Sequence, residues 1–128
     1  MMTGFVNTNR EAVIRFSVCD RRGQAQEIQA VIDTGFNGYL TLPDTAIDVF
    51  GLSYHSRTIV TLGDGSDCVL RQYEATVVWS RQEREVLVLA AEGDPLVGMA
   101  MLYGYDVFLR IVDGGVVTIQ ATSSELSL

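Results

Sequence analysis

From Val13 to Ile119 the chain is a succession of short runs rich in valine, isoleucine, leucine and threonine, and glycine, aspartate or proline cuts each run short. Runs of this kind, bounded by turn residues, favour strands over helices and tie the chain to a β-rich fold of many short segments. Val13, Ile14, Phe16 and Val18 make a first strand that ends in the turn Asp20-Arg21-Arg22-Gly23. A second strand rises from Gln26 to Ala30-Val31-Ile32, breaks at Asp33-Thr34-Gly35, and the chain resumes as a strand over Tyr39-Leu40-Thr41-Leu42. Pro43-Asp44-Thr45 followed by Ala46, Ile47, Val49 and Phe50 predicts a short helix stopped by Gly51.

The middle of the chain reads as a long hairpin. Thr58 to Leu62 and Cys68 to Leu70 flank Gly63-Asp64-Gly65-Ser66, and an Asp-Gly step between β-rich runs is a strong hairpin signal. Its second arm continues to Trp79, and the turn Ser80 to Arg84 leads to a further strand over Val86 to Ala91. Leu96-Val97-Gly98 then precedes a short helix from about Met99 to Tyr103, and a closing hairpin joins Val107–Val112 to Val116–Ile119 through Asp113-Gly114-Gly115. The pattern is all-β, with a closed or nearly closed barrel as the expected architecture and two short helices as its exceptions. One domain over residues 1–122 is expected, with 123–128 as a polar tail. Trp79 and the run Val86 to Ala91 are expected in the core, as large apolar residues usually are.

Composition narrows the function. A net charge of -7 leaves no basic patch to neutralise phosphates, which argues against nucleic acid as a partner. The longest apolar run, Val86 to Ala91, is far short of a membrane span, and Met1 to Arg10 does not have the pattern of a secretory signal, so a cytoplasmic location is expected. Cys19 and Cys68 lie outside any metal-binding or disulfide pattern and are expected to be reduced core thiols; no metal or other cofactor is implied. The lone histidine, His55, reads as a surface strand residue, which leaves serine- and cysteine-nucleophile schemes without an imidazole beside the nucleophile.

Asp33 is the residue that asks for a reason, because it places a carboxylate where an apolar strand ends and a tight loop begins. Two readings are open. Asp33 could bond the loop through its own backbone, as aspartate often does in turns. Alternatively it could be half of a pair of carboxylates that share one proton, one acting as acid and the other as base.

The segment Ala30 to Pro43, with Asp33-Thr34-Gly35-Phe36-Asn37-Gly38 at its centre, resembles the active-site segment of bacterial retropepsin-like aspartic peptidases. Pro95-Leu96-Val97-Gly98-Met99-Ala100-Met101-Leu102 resembles that family's second signature, and the glycine hairpin falls where the family keeps its flap. The resemblance implies an acid-protease-type β-barrel acting as a homodimer on peptide or protein substrates. Asp33 would be catalytic, Thr34 would interlock with its copy in the partner, and Gly35 would let the substrate backbone approach. Leu62, Gly63, Asp64, Gly65 and Ser66 would form the flap and, with Phe36, the cleft, while Leu96, Val97 and Gly98 would pack behind the Asp33 loop. Two features depart from the retroviral members: Phe36 replaces a small residue, and Met99 stands where they tend to carry a basic one. Because the chain has one Asp-Thr-Gly and no aspartate at the second signature, a single subunit cannot supply both carboxylates. The alternatives are a non-catalytic peptide-binding or dimerisation module of the same fold, and an unrelated small ligand-binding β-barrel.

Overall fold

The computed structural model describes residues 1–123. It comprises ten strands and two short helices: β1 (Met2–Val6), β2 (Ala12–Cys19), β3 (Ala25–Ile32), β4 (Leu40–Leu42), α1 (Asp44–Phe50), β5 (Ser53–Thr61), β6 (Asp67–Trp79), β7 (Gln82–Ala90), β8 (Leu96–Val97), α2 (Met99–Leu102), β9 (Tyr105–Leu109) and β10 (Val116–Ala121). All but the tail's first residue, Ser123, lies outside the described residues for the segment 123–128.

The strands form one sheet in the order β5-β6-β7-β4-β8-β3-β2-β1-β10-β9, and a further pairing between β6 and β2 joins six of them into a ring. Strand β2 makes this possible by dividing one edge between two neighbours. Ala12 to Ile14 pair with β1, whereas Ser17 and Val18 pair with Val78 and Val77 of β6. The other edge of β2 pairs with β3 from Val13 to Cys19, across the turn at Asp20. That turn is ordered by Asp20, whose carboxylate accepts the amides of Gln24 and Arg22; these bonds, the Gln24 amide foremost, hold its pKa below the ordinary aspartate range.

Alternation along β2, β6 and β7 sends one set of side chains into the ring. Ile14, Val18, Leu40, Leu42, Val77, Trp79, Val88, Val97, Met101 and Ile119 are buried there. Trp79 takes the centre, edge-on to Phe16 at 5.2 Å and to Tyr105 at 6.2 Å between ring centroids, a favourable geometry for aromatic pairs. From the run Val86 to Ala91, the residues Val86, Val88, Leu89 and Ala90 are buried, and Leu87 and Ala91 are half-buried.

Several boundaries differ from the sequence reading. Residues Met2–Val6, not read as a strand, pair with both β2 and β10; polar Thr3 and two glycine-flanked positions hid their alternation. The turn after Trp79 shrinks to Ser80 and Arg81, both with positive φ, so that β7 begins at Gln82. Strand β9 stops at Leu109, because Val112 donates to the carbonyl of Arg110 and turns the chain early. Cys19 and Cys68 are free thiols but half-buried, not core residues: Cys19 alternates with inward-facing Val18 at the end of β2, and Cys68 lies on the part of β6 beyond its pairing with β7. His55 is exposed on β5, 3.2 Å from Glu74.

Candidate active site

The site begins with a crossing of strands. Strand β8 inserts between β3 and β4, parallel to β3 through Val31–Leu96 and Ile32–Val97, and antiparallel to β4 through Leu40–Val97 and Thr41–Leu96. The connection from β3 to β4 must therefore pass over the end of β8, and that connection is Asp33 to Tyr39. Neighbours separated by more than sixty positions in the chain, Asp33 and Val97, become hydrogen-bonded: the Asp33 amide donates to the Val97 carbonyl at 2.9 Å.

The loop closes on itself and on α2. Gly35 donates its amide to Asp33 Oδ1 at 2.9 Å, and Phe36 donates to the Asp33 carbonyl at 3.1 Å. The first bond orients the carboxylate; Oδ2 accepts no hydrogen bond among the described residues. A Cβ at Gly35 would sit 3.2 Å from Asp33 Oδ1, so glycine leaves that bond room. Asp33 is half-buried, and Thr34 and Gly35 are exposed.

Beyond the tripeptide, the loop is stitched to the second signature. The amides of Gly98, Met99 and Ala100 donate to the carbonyls of Tyr39, Phe36 and Gly38, at 3.1, 2.8 and 3.1 Å. Gly98 is fully covered, and any Cβ there would run into the Gly38 carbonyl and both ring and carbonyl of Phe36. Phe36 thus packs against Gly98 and Gly38. Leu96 and Val97 pair with Val31 and Ile32 just before the Asp33 loop, and Gly98 sits against Phe36 and Gly38 within it.

Two contributors have no sequence signal of their own. Thr41, the one buried polar residue among those described, accepts the Leu96 amide on Oγ1 at 2.9 Å and staples β4 to β8. Arg84, from β7, donates to the Met101 carbonyl at 3.0 Å and lies 5.9 Å from the Tyr39 ring centroid. A cation at the end of α2 complements its carbonyls, and here it also clamps the residue that leads into β4. Met99 carries no charge, so β7 supplies the cation that α2 lacks. Only a folded sheet brings Arg84 to that place.

The hairpin tip is a separate piece of structure. Its bonds are internal: Leu62 donates to Ser66, Gly65 donates to Leu62, and Asp64 accepts both the amide and the hydroxyl of Ser66. The Ser66 hydroxyl is the chief cause of an Asp64 pKa below the usual range. Leu62, Gly63, Asp64, Gly65 and Ser66 are all exposed, and among the described residues no hydrogen bond joins them to the Asp33 loop. The arms of the hairpin project beyond Gln72, where β6 leaves its pairing with β7.

Among the described residues no cluster of histidine, cysteine or carboxylate side chains could hold a metal ion, and no helix is long and apolar enough to cross a membrane. No family model and no curated protein matches the sequence. Among solved structures, the chain is similar to the crystal structure of a retropepsin-like aspartic protease from Rickettsia conorii, with a TM-score of 0.61 and 15% sequence identity. The match covers 95% of this chain and 91% of that one. At that identity what the two proteins share is a fold.

Proposed function

We propose that the chain is one subunit of a homodimeric aspartic endopeptidase in which the two Asp33 carboxylates, one from each copy, form the active centre. The observation that carries this reading is the position of Asp33-Thr34-Gly35: a carboxylate oriented by its own loop, backed by Val97 and Gly98, in a fold shared with an aspartic protease. With Oδ1 engaged by Gly35, Oδ2 is the oxygen presented to a partner or to water.

Two such carboxylates brought together cannot both stay ionised, so they hold one proton between them. The ionised member takes a proton from a water as its oxygen attacks the peptide carbonyl carbon, and the protonated member donates to the carbonyl oxygen. Collapse of the resulting diol breaks the C–N bond as a proton passes to the leaving nitrogen. The exposed Thr34 hydroxyl interlocks with its copy across the axis, and the Leu62–Ser66 tip closes over an extended peptide as a flap. The two free thiols suit a reducing compartment, the cytoplasm.

The decisive measurement is digestion of a peptide library by wild type and Asp33→Asn side by side. Loss of cleavage in a variant with unchanged circular dichroism is the expected result. Retained cleavage by Asp33→Asn would remove the assignment.

A further inference from the structure

Along β7 the residues Val88, Val86 and Arg84 follow one another at the two-residue spacing that keeps side chains on one face, and buried Val77 of β6 stands opposite Arg84. The inward row therefore ends on a cation. The chain has nine arginines and no lysine, and every arginine except Arg84 is exposed; Arg84 is half-buried.

Arg84 also has no counter-ion. Arg71 pairs with Asp44, whereas no carboxylate among the described residues lies within ion-pair distance of Arg84. Its neighbours Glu83 and Glu85 are exposed and, by strand alternation, belong to the opposite face. The guanidinium bonds the Met101 carbonyl and sulfur through Nη1 alone, and among the described residues Nε and Nη2 have no acceptor. Taking a cation partly out of water without an anion beside it costs free energy. The Met101 carbonyl and the Tyr39 ring, 5.9 Å away, offset part of that cost.

Arg84 opens onto a cavity of about 410 Å³ whose other walls are Asn37, Tyr39, Met99, Ala100 and Tyr103. Cavities that take small ligands start at about 300 Å³. Tyr103 is 86% exposed and Met99 46% exposed, so large apolar surface stands open beside the cation. Aromatic rings and a thioether suit a flat apolar guest. A single guanidinium in a chain of net charge -7 matches a guest with one negative charge, since a doubly charged phosphate would leave charge unmatched in a repelling field.

We propose that this cavity binds a small monocarboxylate with a flat apolar body, its two oxygens held by Nε and Nη2 of Arg84 and its body against Tyr39, Tyr103 and Met99. The planar fork of arginine fits a carboxylate through two parallel bonds. Binding bears on the Asp33 loop, because the Met99 and Ala100 amides hold the carbonyls of Phe36 and Gly38, and Asn37 lies between those two acceptors. A guest touching Asn37, Met99 and Ala100 fastens the loop to α2. The site stands on the cavity and its arginine; an effect on peptide cleavage rests also on the peptidase reading above.

The test follows amide chemical shifts of the full chain by NMR, with phenylacetate as probe and neutral phenylacetamide as control. Phenylacetate should give saturable shifts at Asn37, Met99, Ala100 and Tyr103 and slow hydrogen exchange at the Met99 and Ala100 amides. Phenylacetamide should bind at least about tenfold more weakly, as loss of a charge-assisted bond implies. Met99→Glu supplies a carboxylate from the cavity wall and should abolish phenylacetate binding; Tyr103→Ala removes an exposed wall and should weaken it. Both positions are exposed, so both variants keep the fold, which circular dichroism checks. Absence of saturable shifts, equal affinity for the amide, or undiminished affinity in folded Met99→Glu overturns the proposal. Binding that leaves cleavage unaltered keeps the site and removes its coupling to the peptidase. Cleavage by a chain that binds no phenylacetate removes the site and keeps the peptidase reading.

Discussion

Gly98 is the residue on which the Asp33 loop rests. Its φ of -106° is open to any amino acid, so the demand for glycine is one of space: the loop carbonyls of Gly38 and Phe36 occupy the volume a Cβ would need. Gly98→Ala should cost about 1–3 kcal/mol in chemical denaturation, the usual range for overpacking a filled site. Trimming Phe36 to leucine as well should not recover the loss, since two of the three contacts are backbone. A glycine after an apolar pair is visible in the sequence, and so is an aspartate at the end of an apolar strand. What the residues themselves do not show is the close fit of Gly98 against Phe36 and Gly38, because that fit depends on β8 lying between β3 and β4.

At the scale of elements, strands were legible where apolar residues alternate over a long stretch. The arms of the β5–β6 hairpin, the β2–β3 hairpin and the glycine stop of α1 follow from such patterns and from turn chemistry. Strand β8, with two residues, has no periodicity to read; it exists because its neighbours on both sides offer backbone partners. Thr41 holds this three-strand junction, and the consequence is specific. Thr41→Val keeps the shape but leaves the Leu96 amide without its acceptor, and should cost about 1–3 kcal/mol as a buried unpaired donor does. Thr41→Ser retains the oxygen and should lie much closer to wild type in thermal unfolding. Equal losses in the two would show that the bond is not what matters there. Arg84 belongs to the same class of feature, a charged residue in a polar turn-to-strand segment whose partner is the end of a helix seventeen positions away.

For the whole molecule, the proposed active centre is a property of two copies. Dilution therefore tests it directly. Below the dissociation constant of the pair, cleavage rate should rise with the square of subunit concentration and become linear once dimers dominate; strict linearity down to the lowest measurable concentration would mean that one chain suffices. The sequence by itself determined the β-rich class, the loop that follows Ile32 and the projecting glycine hairpin, because each depends on local periodicity or turn propensity; the need for a second carboxylate belongs to the proposed peptidase reading. The tertiary structure decided what backs Asp33, which residues brace that backing, and which strands end the sheet. These depend on strands distant in the chain finding each other's backbone groups, a choice driven by burial around Trp79 and not by any short segment's own preference.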